Sequence, residues 1–274
     1  FFSNSIHRIE AVFKMEGTVF SQIAALALNV WREAVRDRLL LLLAGAGILI
    51  IFSSIVLGQM AIGAQERVIQ NMGLWSIGIW GLVAVIYLGS GTIKREIQNK
   101  TIYLLLSRPM HRVTFMMGKY AGIILVLITI FFLLASAWLG LLMIYDIKIR
   151  FQHMLALGFI FGEWMLLAAF SLFFASFTSP LLHNFFLIGI TFFCFFSNDL
   201  RLFAENTANL WLNNILMGLF YTLPNLEALN FREAALYDQM VRFSLILQGA
   251  GVLLAWSMTA FVAANLIFHK RKLV

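Results

Sequence analysis

Glu163 is the residue from which chemistry could start. It is the only acidic side chain deep inside a long apolar run, where a charge costs about 2.5–3.5 kcal/mol to insert into a bilayer. At about 1.5 Å per residue it lies roughly 14 Å of helix rise from one end of that run, near mid-bilayer. A carboxyl there reads either as a substrate-path or gating group or as a protonated or hydrogen-bonded joint between two helices. The neutral form is the cheaper one in lipid, so Glu163→Gln is expected to leave folding largely intact. The remaining chemistry-bearing residues form no constellation. Cys194, the single cysteine, has no CxxC or Cys/His partner and reads as a small buried hydrophobe. Of the five His, His183 alone falls in an apolar run, whereas a haem held between two helices would want a pair. The absence of HExxH and GxSxG removes support for metalloprotease or serine hydrolase chemistry. Gly89-Ser90-Gly91-Thr92 imitates a phosphate loop, but no GK[ST] follows and no strand precedes it, so the chain has no ATP site. The expectation is a non-enzymatic chain with no catalytic residue, no metal and no cofactor of its own.

These residues sit in a chain built for lipid. Of its 274 residues, 61% are hydrophobic and 12% charged, against about 25% charged in a soluble domain. No soluble fold of this size has interior enough for 27 Phe and 7 Trp among so few charges. The net charge of +7 does not point to nucleic acid, because the basic residues cluster at the ends of apolar runs, where they set topology and meet anionic headgroups. No basic–apolar–AxA leader precedes the first long apolar run, and a start at Phe1 rather than Met leaves room for residues upstream.

About 20 apolar residues cross a bilayer as a helix, and six stretches approach that: Leu39–Ile62, Met72–Ser90, Tyr120–Ile144, Met154–Phe177, Leu181–Ser197 and Phe243–Phe268. The fifth is shortest and carries His183 and Asn184 near one end. The fold expected is an all-α membrane protein. Residues 1–38 form an N-terminal segment with an interfacial helix, 39–268 a single six-span domain, and 269–274 a basic tail. Six spans place both termini on one side. Fourteen Lys and Arg lie on that side and six on the other, so the termini are expected in the cytoplasm.

Three segments do not span. Gly17–Asp37 reads as an amphipathic interfacial helix, with Ile23, Ala27, Val30 and Ala34 on one face and Asn29, Arg32, Glu33 and Arg36 on another. Segment 94–112 is a basic connection on the cytoplasmic side. Within it Ile97, Thr101, Leu104 and Leu105 recur at helical spacing and Pro109 stops the helix. Asn99-Lys100-Thr101 matches a glycosylation sequon that this placement leaves unused. Segment 198–242 lies on the outer side. There a polar stripe of Asn206, Asn209 and Asn213 and an apolar stripe of Leu212, Ile215, Leu216 and Leu219 predict an interfacial or re-entrant helix over 206–220, ended at Pro224-Asn225. Gly158 and Gly162, with Ala169 and Ser176, make a small-residue seam for close helix packing, and Gly118 and Gly122 repeat the pattern.

The stretch from Arg95-Glu96-Ile97-Gln98 through Thr101, Leu104-Leu105-Leu106 and Ser107-Arg108-Pro109 to Arg112, Gly118 and Lys119 resembles the segment joining the second and third spans of ABC type-2 permeases. Lys100 stands where that family usually has Gly. Asn29–Arg38 resembles the family's interfacial helix running into the first span, and Leu223–Asn230 its outer segment in one bacterial subgroup. The resemblance covers most of the chain from about residue 20. It implies the permease subunit of a bacterial exporter in the inner membrane. Such a subunit couples to a separate ATP-binding subunit, which holds ATP and Mg, and pairs with a second copy or a close paralogue. It assigns the coupling contact to Arg95, Glu96, Thr101, Leu104, Leu105, Ser107, Arg108 and Pro109. The alternatives are an ATP-independent channel or secondary transporter, or a structural membrane subunit. The substrate is not legible, although the Phe-rich interior tolerates a hydrophobic or amphipathic cargo.

Overall fold

The computed structural model describes residues 19–92, 111–207 and 209–270. The coupling residues Arg95, Glu96, Thr101, Leu104, Leu105, Ser107, Arg108 and Pro109 lie outside the described residues. Among those described, every regular element is helical. The helices are α1 (Val19–Val35), α2 (Arg38–Met60), α3 (Gln65–Thr92), α4 (Arg112–Ile144), α5 (Phe151–Ala175), α6 (Pro180–Phe195), α7 (Ser197–Glu205), α8 (Leu210–Thr222), α9 (Arg232–Leu236) and α10 (Phe243–Lys270). Five of them, α2, α3, α4, α5 and α10, are long and apolar enough to cross a membrane. A sixth span exists if α6 and α7, bent by 64° at their junction, count as one. The chain is a multi-pass membrane protein.

Local chemistry sets the helix ends. The Asp37 carboxylate accepts the Leu39 N–H at 3.0 Å and caps α2. It also accepts the Tyr87 hydroxyl at 2.5 Å, tying the start of α2 to the last turns of α3. Pro180 opens α6, where a missing N–H costs nothing. Arg112 donates to the carbonyl of His269 at 2.8 Å and satisfies an end group of α10. These ties gather the start of α2, the end of α3, the start of α4 and the end of α10 at one end of the bundle, called here the terminal end. The starts of α3 and α5 lie at the far end.

Burial ranks the helices. The apolar stretch of α5 is 78% buried within the chain, against 28% for α2 and 22% for α10. The central helix is therefore α5, and α2 and α10 turn Leu42, Leu49, Val56, Leu254, Met258 and Val262 outward, as lipid-facing helices do. The amphipathic reading of α1 holds for its packing. Ala27, Val30 and Ala34 are buried along α4, while Asn29, Arg32, Glu33 and Arg36 are exposed.

The close packing differs from the seam read in the sequence. Gly158 is exposed, and a Cβ built there meets nothing within 4 Å. Gly162 receives Leu253 of α10, and Gly118 and Gly122 receive Leu26 and Val30 of α1. The tightest glycines are instead on α3. A Cβ at Gly73 would fall 1.9 Å from the Trp138 ring, and one at Gly81 1.6 Å from the Trp164 ring. Eight residues turn a helix by about 80° beyond two full turns, which carries the contact from α4 at Gly73 to α5 at Gly81.

The outer segment also folds differently. Asn206 ends α7 and Asn209 caps α8, accepting the Trp211 N–H at 3.1 Å. The expected polar stripe therefore straddles two helices. Beyond the turn at Pro224, the chain returns to the bend between α6 and α7. There Leu226 N–H donates to the Cys194 carbonyl at 3.1 Å, and Asn225 donates to Asn198 Oδ1 at 2.8 Å.

Candidate functional site

Polar side chains occur at three heights along the contact between α3 and α5. At the far end the Arg150 backbone N–H donates to His153 Nδ1 at 3.0 Å. That bond assigns the proton of neutral His153 to Nε2, which faces Gln70 Oε1 of α3 at 3.4 Å. Both side chains are buried.

At mid-height stands Glu163, about 18 Å of helix rise from Phe151. It is 3% exposed, and it is not alone. Arg232, the first residue of the short helix α9, reaches it with Nη2 at 3.9 Å from Oε2. The guanidinium passes over Gly78, midway along α3, where a Cβ would fall 2.3 Å from the same nitrogen. Only glycine leaves room for this arginine. The separation exceeds hydrogen-bonding distance, and Arg232 Nε is buried without a hydrogen-bond partner among the described residues. The two groups of opposite charge type face each other inside the bundle, shielded from solvent and too far apart for a hydrogen bond. Helix α9 is held at this depth by Phe231, stacked edge-on against Phe159 of α5 with ring centroids 4.5 Å apart, and by two contacts at its far-end side. There Asp238 pairs with Arg150, and Arg67 lies over the Tyr237 ring at 5.4 Å. A segment read as an outer connection thus sends a short helix and a charge into the bundle.

Toward the terminal end, Ser171 Oγ lies 3.0 Å from His183 Nε2, and His183 Nδ1 lies 2.9 Å from Asn184 Oδ1. With the amide oxygen as acceptor, Nδ1 carries the proton and Nε2 accepts from the hydroxyl. The order hydroxyl–imidazole–amide matches an activated nucleophile. Burial argues against that use. Ser171 and His183 are 0% and 1% exposed, and a Cβ at Gly89 would fall 1.6 Å from the hydroxyl oxygen. The serine is enclosed, and the chain of bonds joins α5 to α6 beside α3.

The sequence reading and the structure meet at Glu163 and part at its partner. In the sequence Arg232 is only an outer-side charge, because nothing local to it says that α9 turns inward. The signal that was present is the glycine series Gly73, Gly78, Gly81 and Gly89 on one helix. Gly158 and Gly162 do not approach this site as a pair. Cys194 is a buried free thiol, and no cluster of three or more metal-ligating side chains occurs among the described residues. No family model matches the sequence, and no curated protein matches it.

Proposed function

We propose that this chain is the membrane-spanning permease subunit of an ATP-driven exporter of the ABC type-2 class. It forms half of a translocation path and takes its energy from a separate ATP-binding subunit carrying ATP and Mg. The observation that carries the reading is the ordered motif in segment 94–112, Arg95 through Pro109, between two spans of a chain that has no phosphate loop. Its position supports this use. The segment joins the end of α3 to the start of α4, at the terminal end, where α2 begins and α10 finishes. With α6 and α7 counted as one bent span, the number of spans is even, which supports both termini on one side of the membrane. The fourteen-to-six distribution of Lys and Arg supports reading it as the cytoplasmic face, and the family resemblance supports a bacterial inner membrane. A second copy or paralogue completes the path, and lipid covers the exposed faces of α2 and α10.

Two measurements test the reading. In a Cys194→Ser background, single cysteines at Ser3 and Lys272 are expected to resist a membrane-impermeant thiol reagent in intact cells; labelling of either from outside overturns the orientation. Leu104→Asp with Leu105→Asp removes the apolar side of the coupling segment without touching a span. Truncating an interface anchor commonly costs 2 kcal/mol or more. The double variant is expected to insert normally and to lose its ATPase partner together with substrate-stimulated ATP hydrolysis. A fully coupled ATPase in that variant would remove the mechanism.

The buried Glu163–Arg232 pair favours one other reading, an ATP-independent secondary transporter, because intramembrane ion pairs mark ion pathways. Transport by the purified chain alone, following an ion gradient, separates it from the first.

A further inference from the structure

The far end of the bundle holds a cavity that neither the permease reading nor the Glu163–Arg232 pair uses. It is about 480 Å³, within the range of roughly 300–1,000 Å³ typical of small-ligand sites. Its walls come from the first turns of α3 and α5, the connection between α4 and α5, and the end of α9. Six charged side chains line it: Glu66, Arg67, Asp146, Lys148, Arg150 and Asp238.

The six are not equivalent. Arg150 and Asp238 neutralise each other, and Arg67 lies against Tyr237. Among the described residues Glu66, Asp146 and Lys148 form no ion pair. Gln70 lines the cavity and is 7% exposed. Its Oε1 meets His153, and its amide nitrogen has no partner among the described residues. That amide nitrogen offers a donor for an incoming anion. Two wall residues, Asp146 and Asp238, have φ of 53°, the left-handed region where non-glycine residues are uncommon and which recurs at ligand sites.

We infer that this cavity binds a compact zwitterion, an ammonium joined by a short spacer to a phosphate or carboxylate. Glu66 and Asp146 receive the ammonium; Lys148, Arg67 and the Gln70 amide receive the oxyanion. A simple anion would face two unpaired carboxylates, and a simple cation would face Arg67 and Lys148. A ligand carrying both charges opposes neither. The cavity lies where helix ends give way to the headgroup layer, so the zwitterion is available from two sources, a phosphatidylethanolamine headgroup or a soluble molecule. The inference does not depend on export.

The test uses the full chain in nanodiscs. Native mass spectrometry compares retention of phosphatidylethanolamine with phosphatidylglycerol, and titration calorimetry in phosphatidylglycerol discs measures binding of free phosphoethanolamine. Three variants are compared: Glu66→Gln, Asp146→Asn and Lys148→Met. Asparagine tolerates the left-handed backbone at 146, so the fold is kept, and an unchanged unfolding midpoint checks this. At least fivefold preferential retention of phosphatidylethanolamine, abolished in the variants, supports the site with a lipid ligand. Phosphoethanolamine binding weakened at least fivefold in the variants, with no lipid preference, supports it with a soluble ligand. Binding of neither probe by the unaltered chain, or binding that all three variants leave unchanged, overturns it.

Discussion

At alkaline pH, where the carboxyl carries its charge, Glu163→Gln is expected to destabilise the protein by up to about 3–5 kcal/mol, the usual cost of removing one partner from a buried ion pair. A lone carboxyl in lipid gains from neutralisation, but Glu163 faces Arg232 at 3.9 Å, and its loss leaves a guanidinium at mid-depth with no counter-charge. At that distance two unit charges attract by about 4 kcal/mol at an effective dielectric of 20. The side chains are only 4% and 16% exposed, so solvent screens little of it. Arg232→Met should cost a similar amount by leaving the carboxylate stranded, although Glu163 can then take up a proton and recover part of the loss. The double variant should be more stable than the sum of the two singles by at least 2 kcal/mol, because two apolar or neutral groups of similar size replace a loosely fitted pair. Unfolding by denaturing detergent in mixed micelles measures all four corners of the cycle. Additive losses, or a silent Glu163→Gln, would show that the two charges do not interact.

Gly81→Ala is expected to be as damaging as a core deletion, although it adds a single methyl group. The added carbon would fall 1.6 Å from Trp164, and the equivalent change at Gly73 1.9 Å from Trp138. Both indoles are fully buried. Trp164 is further boxed by Phe131, its ring edge-on at 5.6 Å. Overpacking costs about 1–3 kcal/mol where neighbours can shift; here neither ring has space, and we expect more than 3 kcal/mol. Trp164→Leu should rescue Gly81→Ala by reopening the contact. Gly158→Ala is the control. That glycine is exposed with nothing within 4 Å, so alanine should stabilise α5 by about 0.5–1 kcal/mol through helix propensity. Equal effects at positions 81 and 158 would refute the packing argument. The GxxxG spacing in α5 thus marks an exposed position beside one contact, whereas the irregularly spaced glycines of α3 make the tight interface. Spacing alone does not say which helix face meets a neighbour, and contact requires a bulky partner at the same height.

The sequence alone determined the class of fold. Runs of apolar residues near the length of a bilayer make helices because backbone groups in lipid have to be satisfied within the segment, and α2, α3, α4, α5 and α10 follow the runs read from composition. The amphipathic period of α1 likewise named its buried face, since a helix repeats every 3.6 residues whatever it packs against. Glu163 was legible for the same reason, as a charge where the surrounding residues leave no water. What the sequence did not contain is which groups meet. The bend between α6 and α7 separates Phe195 from Ser197 with no proline or glycine to announce it. The inward course of α9 is set by contacts with residues tens of positions away, Phe231 on Phe159, Asp238 on Arg150 and Arg67 on Tyr237. Those contacts bring Arg232 to Glu163 and close the wall of the far-end cavity. Local propensity is a property of a few neighbouring residues, whereas a partner for a buried charge is chosen by the packing of three helices at once, so only the tertiary structure decided it.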